Sequence, residues 1–380
     1  MNTNNQRCTR CVMDTTDPEI VFDRDGVCNH CLEFDNHTRK RWFPNDEGAS
    51  ILSKLFEKIK RQGEGREYDC IIGLSGGIDS SYLALVLKDY GLRPLVVHVD
   101  AGWNSELAVH NIERVVKYCG YDLHTHVLDW QEVKDLQLAY LKAGVANQDV
   151  VQDHAFFASL YRFAIRNKIK YVISGGNIAT ESIFPMAWHH SAMDAINLRS
   201  IHKNYGSRKL RDYKTISFLD YYLFFPFWYG MRVVRPLNFM PYVKRDAQKI
   251  LKERVGFKDY GGKHGESRFT KFFQNYYLPT KFNMDKRLPH LSSLILSGEI
   301  TRDQAIAELS KPLYCQDELK DDLSFVAKKL GLTADEFSAL VVAPSQDYRK
   351  FSNWDSRFAV LRMAKNIASK VLGSRLRSYS

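Results

Sequence analysis

The chain has 380 residues, 44% of them hydrophobic and 26% charged. That is the balance of a globular protein with a buried core, and the length allows two or three domains. No run of about 18 apolar residues occurs, which excludes a spanning helix, and the opening MNTNNQRCTRC offers no apolar stretch for a secretory signal. The 54 Lys+Arg exceed the 44 Asp+Glu by 10, but unevenly: residues 200–290 hold 19 basic against 7 acidic residues, a local excess of 12 that leaves the remainder at −2. A basic segment on a near-neutral body leaves nucleic acid, an acidic membrane surface and anionic small molecules open.

In chain order, residues 1–45 form a cysteine-bearing module with Gly26 in a turn-like DRDG segment, and 46–62 is amphipathic at helical spacing through Ile51, Leu52, Leu55, Phe56 and Ile59. Strand-like runs then alternate with helical ones. DCIIGL (69–74) precedes a helix over 81–90, PLVVHV (94–99) precedes one over 106–119, DLHTHVL (122–128) precedes a long helix near 150–167, and KYVISG (170–175) follows. This alternation predicts βαβ units and an α/β fold with a doubly wound parallel sheet, in a domain spanning 46–290. The very aromatic ISFLDYYLFFPFWYG (216–230) is expected to be a buried core strand or helix, with at most peripheral membrane contact as its alternative. Residues 291–380 read as a helical region, with Thr301 and Asp303 suited to start a helix.

The seven cysteines are Cys8, Cys11, Cys28, Cys31, Cys70, Cys119 and Cys315. An odd count with four crowded together is no disulfide framework, and a reducing cytoplasm is expected. Cys8-x2-Cys11 and Cys28-x2-Cys31, sixteen residues apart, are spaced as two knuckles closing a tetrahedral, structural Zn2+ site. His30 is a bystander. With the zinc ligands set aside, Cys70, Cys119 and Cys315 are expected to be packed or incidental thiols, so the chain has no glutaminase nucleophile of its own.

Residues 73–81, GLSGGIDSS, follow a strand and open a helix, the context of an anion site. The glycines allow close backbone approach, Ser75, Ser80 and Ser81 add hydroxyls, and Asp79 suits a Mg2+ or loop-orienting ligand. The lysine of a Walker A loop is missing. SGGIDS here matches SGGxDS, and the segment resembles the PP-loop ATP pyrophosphatase superfamily. The resemblance implies that ATP is cleaved between its α- and β-phosphates, with Ser75, Gly76, Gly77, Asp79 and Ser80 holding the pyrophosphate moiety. It also implies adenine at the end of the second strand, near Val97, His98 and Val99 with Asp100 just beyond. Gly175, Gly176 and Asn177 in SGGNIATES (174–182) should face the nucleotide crevice.

Three separated segments extend the likeness. RCTRCVMDTTDPEIVFDRDGVCNHC (7–31), HVDAGWNSE (98–106) and SRFTKFFQNYYLPTKFNMDKRLPHLSSLILSGEITRDQA (267–305) together resemble the bacterial N-acetyl sugar amidotransferases, the WbpG and PseA group. That resemblance implies conversion of an acetamido to an acetamidino group on a nucleotide-linked or related sugar in surface-polysaccharide synthesis, using ATP. Ammonia would come from a separate glutaminase subunit and a histidine-pathway-like cyclase subunit. Two other classes compete: a PP-loop tRNA thiolase, which lacks cluster-holding cysteines and an RNA-binding appendage here, and a non-catalytic zinc-ribbon interaction protein. No nucleic acid is therefore expected as a partner, and the basic excess is expected to serve anionic small molecules. For substrate and chemistry the candidates are Lys263, Glu266, Arg268 and Lys271 in the basic segment, with Glu266 and Lys271, together with Asp79 of the loop, expected to be catalytic. Trp188 and His190 follow the fourth strand, where a Trp can stack on a sugar or base. Asp285, Lys286, Arg287 and His290 match the family motif but receive no role.

Overall fold

The computed structural model describes residues 6–260 and 265–359. Five strands form one sheet: β1 (Cys70–Gly73), β2 (Pro94–Asp100), β3 (Leu123–Val127), β4 (Tyr171–Ile173) and β5 (Arg232–Val234), in the order β3-β2-β1-β4-β5. Every pairing is parallel, with Cys70 opposite Pro94, Val96 opposite Leu123, Ile71 opposite Val172 and Tyr171 opposite Arg232. Helices cover both faces, so the central strands are apolar on both sides and read as continuous runs. The chain leaves β1 toward β2 and β3, then crosses back to β4. The carboxyl ends of β1 and β4 therefore flank the point where strand order reverses, which is where α/β sheets bind ligands.

The helices expected at 46–62, 81–90, 106–119 and 150–167 are present as Asp46–Gln62, Ile78–Asp89, Glu106–Cys119 and Val150–Arg166. Local chemistry sets their ends. Ser105 Oγ accepts the Ala108 N–H at 3.2 Å, and Gly120 closes the same helix in the left-handed region at φ 70°. Thr301 and Gln304 form a reciprocal capping box on Arg302–Leu309.

Several elements escaped the pattern, among them the Ala195–Tyr205 and Lys244–Val255 helices, the Trp130–Ala143 helix and β5. The Trp130–Ala143 helix buries Glu132, Asp135 and Gln137, which interrupt its apolar face. Their burial is satisfied from afar: Glu132 accepts the N–H groups of Arg211, Asp212 and Tyr213, and Asp135 those of Ser207 and Arg208. β5 is only three residues long and half exposed.

The aromatic segment is a correction. Asp220–Tyr229 is a wide helix that buries Phe225 but exposes Leu223, Phe224, Phe227 and Trp228, the last at 85%, as is Leu219 just before it. Pro226 lies inside it and cannot donate a backbone hydrogen bond, so a regular buried helix is unavailable. Among the described residues, no helix is long and apolar enough to cross a membrane.

Three apolar clusters hold the molecule together. Two lie against the faces of the sheet. The third joins the four cysteines to Ile183, Trp188, Leu288, Leu291, Leu294 and Ala305. Phe269, Phe272, Val326, Leu330 and Phe337 belong to the sheet cluster, so the C-terminal helices share cores with both preceding regions.

Candidate active site

The loop after β1 lies over a cavity of about 260 Å³, lined by Ser75, Gly77, Asp79, Ser80, Gly175, Gly176, Glu181, Lys244, Tyr260 and Glu266. Gly77 caps the Ile78–Asp89 helix without a side-chain hydrogen bond. The first N–H groups of that helix thus open into the cavity with the positive end of its dipole. Ser75 Oγ accepts the Gly77 N–H at 3.2 Å and lies 3.2 Å from Ser80 Oγ, which donates to the Gly77 carbonyl at 3.3 Å. Gly76 has φ 83°, and a Cβ there would meet the Ala108 carbonyl oxygen at 2.7 Å. The Tyr260 hydroxyl donates to its carbonyl. Gly175 packs so closely that an added Cβ would stand 3.3 Å from the backbone of Asp79 and Ser80. The two glycine segments form facing walls.

Asp79 accepts a hydrogen bond from the Tyr242 hydroxyl, whose own titration is driven far upward by burial and by Asp79. With Glu181 and Glu266 it gives the cavity three carboxylates, hard oxygen donors of the kind Mg2+ takes one or two of beside phosphates; among the described residues only the four cysteines converge into a closed ligand set. Glu181, Lys244, Tyr242 and Tyr260 were not singled out in the sequence. Glu181 had a local signal, since it lies within SGGNIATES. Lys244, Tyr242 and Tyr260 lie more than 150 residues beyond the phosphate loop, and no local pattern marks them.

Several expected residues do other work. Ser81 is fully buried and does not line the cavity. The Val99 side chain packs in the core. His98 is buried, its Nδ1 2.9 Å from the Leu74 carbonyl oxygen and its Nε2 3.1 Å from the Asn104 amide, so it braces the loop from beneath. Asp100 accepts from the Gly102 N–H at 2.7 Å and the Asn104 amide at 3.0 Å, holding the turn after β2. Asn177 caps the Ile178–Glu181 turn through Thr180 N–H and returns its amide to the Gly175 carbonyl, which shapes the loop rather than contacting a ligand.

Trp188 is buried against the cysteine module and donates to the Thr16 carbonyl at 3.4 Å. His190 is buried 3.0 Å from the Asp194 carboxylate, its ring stacked 3.8 Å from Tyr348. Neither lines the cavity. Arg268 and Lys271 are also corrections: both pair with the buried Asp322 of the Gln316–Leu330 helix, and Lys271 also with Glu318. Arg268 additionally lies over the Phe325 ring at 4.0 Å. Their charges are consumed by the C-terminal helix. Lys263 lies outside the described residues.

The basic segment therefore divides. Lys244 lines the cavity beside the SGGIDSS loop, whereas Arg199, Lys203, Arg208 and Lys209 line a separate, open concavity of about 610 Å³.

The four cysteine sulfurs converge, with Sγ–Sγ separations of 3.9 Å (Cys8–Cys31), 3.7 Å (Cys11–Cys28) and 3.7 Å (Cys28–Cys31). A tetrahedron with zinc–sulfur bonds of about 2.3 Å has edges of about 3.8 Å, so the donor set and its size fit Zn2+. N–H groups of Arg10, Cys11 and Cys28 point at Cys8 Sγ at 3.3–3.4 Å, as thiolate ligands require. His30 is 2.7 Å from Asp17 instead. All four thiols are fully buried, leaving no open coordination position. Arg302 donates to the carbonyls of Cys8 and Cys11 and ties the first knuckle to the C-terminal helices.

Residues 266–366 match the family model described as the LPS biosynthesis protein WbpG-like, C-terminal domain. The WbpG-like resemblance is thereby borne out for that part of the chain. Among solved structures, NMN synthetase from Francisella tularensis is similar at 14% identity and a TM-score of 0.34, over 71% of this chain and 98% of that one. A likeness at that level bears on neither fold nor function. No curated protein matches the chain.

Proposed function

We propose that this protein is an ATP-dependent amidotransferase that converts an acetamido group on a nucleotide-linked or related sugar into an acetamidino group, for a bacterial surface polysaccharide. The observation that carries the proposal is the uncapped helix start beneath SGGIDSS, facing three carboxylates and Lys244 in one cavity, in a chain whose C-terminal part is WbpG-like.

The chemistry follows from the groups present. An amide oxygen is a poor leaving group, so the enzyme must first make it a good one. ATP phosphates lie against the N–H groups of Gly77 and the next residues, with Ser75 and Ser80 hydroxyls and Lys244 sharing their charge. Asp79, Glu181 and Glu266 would hold Mg2+, which neutralises phosphate oxygens. The amide oxygen attacks the α-phosphorus and pyrophosphate departs. Ammonia then adds to the activated carbon, and AMP leaves with the former amide oxygen. Most of the rate enhancement is positioning of the reactants. Ammonia is supplied in this scheme by a glutaminase subunit with a cyclase-like channel subunit. Zinc takes no part in the reaction.

The thiolase alternative needs a reactive thiol at the cavity. Cys70 and Cys119 are core residues whose thiols burial pushes up, that of Cys119 to about 11, and Cys315 does not line the cavity. The test is incubation with ATP, ammonium and a panel of nucleotide-linked acetamido sugars. AMP, pyrophosphate and a product lighter by the difference between O and NH are expected. AMP formation with no sugar product, or sulfur incorporation into RNA, would overturn the proposal.

A further inference from the structure

The wide Asp220–Tyr229 helix presents an apolar face that nothing among the described residues covers. Leu219, Leu223, Phe224, Phe227 and Trp228 stand from 39% to 85% exposed. They recur every four or five residues, the turn of an i→i+5 helix, so they share one face. The opposite face holds the helix to the molecule. The Tyr221 and Phe225 rings lie 6.3 and 5.5 Å from that of Tyr161 in the Val150–Arg166 helix, and the Tyr229 hydroxyl donates to the Ala164 carbonyl at 3.2 Å. Apolar side chains scattered singly over a surface need no explanation, but five gathered on one face do.

Exposed cations border this face at both ends. Before it, Thr215 lies four residues from Leu219, a reach of at most about 14 Å. Thr215 lines the 610 Å³ concavity with Arg199, Lys203, Arg208 and Lys209. Arg162 and Arg199 both donate to Thr215, the first to its carbonyl at 3.0 Å, and so are held at that border. After it, the Arg232 N–H donates to the Lys170 carbonyl at 2.8 Å, three residues beyond Tyr229. Lys170, Lys203, Arg208, Lys209 and Arg232 are exposed, and their side chains make no ion pair among the described residues. Residues 199–215 hold six Lys or Arg against Asp212 alone, and the Glu132 and Asp135 carboxylates are taken by backbone N–H groups of that loop. Phe358, one residue before the end of the described chain, lies 5.5 Å from the Tyr222 ring of the same helix. Residues 360–380 add five Lys or Arg and no acid.

We propose that this surface docks the protein on an anionic phospholipid bilayer, the Leu219–Trp228 face entering the headgroup layer and the cations on either side meeting lipid phosphates. Leu, Phe and Trp facing one way with Lys and Arg around them is the pattern of a helix lying in a membrane interface. A protein partner matches it less well. Protein interfaces are depleted in Lys, whereas here unpaired Lys stands at both ends of the apolar face, and a continuous anionic surface meets all of these cations without a matched acid for each. None of these residues lines the phosphate cavity, so docking is independent of the ATP chemistry and is read without it.

The experiment sediments the full chain with vesicles of phosphatidylcholine and phosphatidylglycerol in equal parts, and with phosphatidylcholine alone. Wild type should sediment with the mixed vesicles, less with the neutral ones, and less again in high salt. A cation near such a surface is worth about fivefold in partitioning, so Lys203→Gln, Arg208→Gln and Lys209→Gln together should cost about a hundredfold. Phe227→Ser with Trp228→Ser should cost about tenfold or more, at an unchanged thermal midpoint because both side chains are exposed. Lys54→Gln with Lys58→Gln, on the Asp46–Gln62 helix that packs on the other face of the sheet, should leave partitioning unchanged. The proposal is overturned by either set of surface variants sedimenting as wild type does, by an equal loss from the Lys54 and Lys58 pair, or by wild type binding neither vesicle. Sedimentation velocity without lipid reads the competing occupant: a wild-type dimer that the Phe227 and Trp228 changes dissociate overturns the proposal and makes the face an interface between copies of the chain.

Discussion

Replacing Asp322 by alanine separates a structural from a catalytic role for Arg268 and Lys271. The Asp322 side chain is 3% exposed, against 37% for Arg268 and 22% for Lys271, and Tyr314 also donates to it at 3.0 Å. Burial by itself would raise this carboxyl, but hydrogen bonds from Arg268 and Lys271 outweigh it and hold the group below the ordinary carboxylate value. Asp322→Ala leaves two partly buried cations facing one another, and breaking such a pair costs about 3–5 kcal/mol. With roughly 0.8 kcal/mol/K of unfolding entropy for a chain of this size, the thermal midpoint should fall by about 4–6 °C. Differential scanning fluorimetry reads that shift, and ATP-dependent pyrophosphate release near 25 °C reads the site. The expected result is a lower midpoint with the KM for ATP unchanged. Removing all three charges together, as Arg268→Leu, Lys271→Met and Asp322→Leu, should recover most of the loss. An unchanged midpoint with abolished pyrophosphate release would refute the reasoning and return Arg268 and Lys271 to the cavity.

Asp79→Ala should abolish AMP and pyrophosphate formation while leaving the zinc content, measured by atomic absorption, at the wild-type level; full residual turnover would contradict the phosphate-site assignment. Gly76→Ala places a Cβ against the Ala108 carbonyl in a left-handed conformation that costs about 1–2 kcal/mol even without a clash, so ATP binding by calorimetry should be lost and the midpoint lowered. Cys11→Ser should lose metal and unfold the module together with the Leu288–Ala305 packing around it, since structural zinc contributes on the order of 10 kcal/mol; retained zinc would refute the four-thiolate site.

His154 supplies a pH test. Its Nδ1 faces the Ala192 carbonyl at 2.8 Å and its Nε2 accepts the Ile216 N–H at 3.0 Å, so the folded state holds it neutral, and burial pushes it down to about 4. The unfolded chain takes up the proton first as pH falls. Stability is therefore complete above about 6.5 and declines toward 4, by on the order of 1–3 kcal/mol. His154→Gln should flatten that slope in denaturant titrations, and an unaltered slope would contradict the assignment.

Much of the architecture was legible because it is local. Cys-x2-Cys knuckles, the strand–SGGIDSS–helix run and the Thr301 cap are each set by residues within one or two turns of one another. The Trp130–Ala143 helix was obscured for the opposite reason: Glu132 and Asp135 are buried to bind backbone N–H groups more than 70 residues away. The basic segment misled for a similar reason. Arg268 and Lys271 look like anion ligands until Asp322, some 50 residues later, is found between them.

The sequence by itself determined the parallel α/β order, the four-thiolate cluster and the glycine-rich SGGIDSS turn between strand and helix, since each depends on short-range periodicity, spacing or backbone freedom. Only the tertiary structure decided which charges remain available for a ligand. Glu181 and Lys244 reach the cavity from distant segments, whereas Arg268, Lys271 and His190 are taken by internal partners. Availability of a charge depends on every group that folding brings near it, and sequence separation carries no record of that.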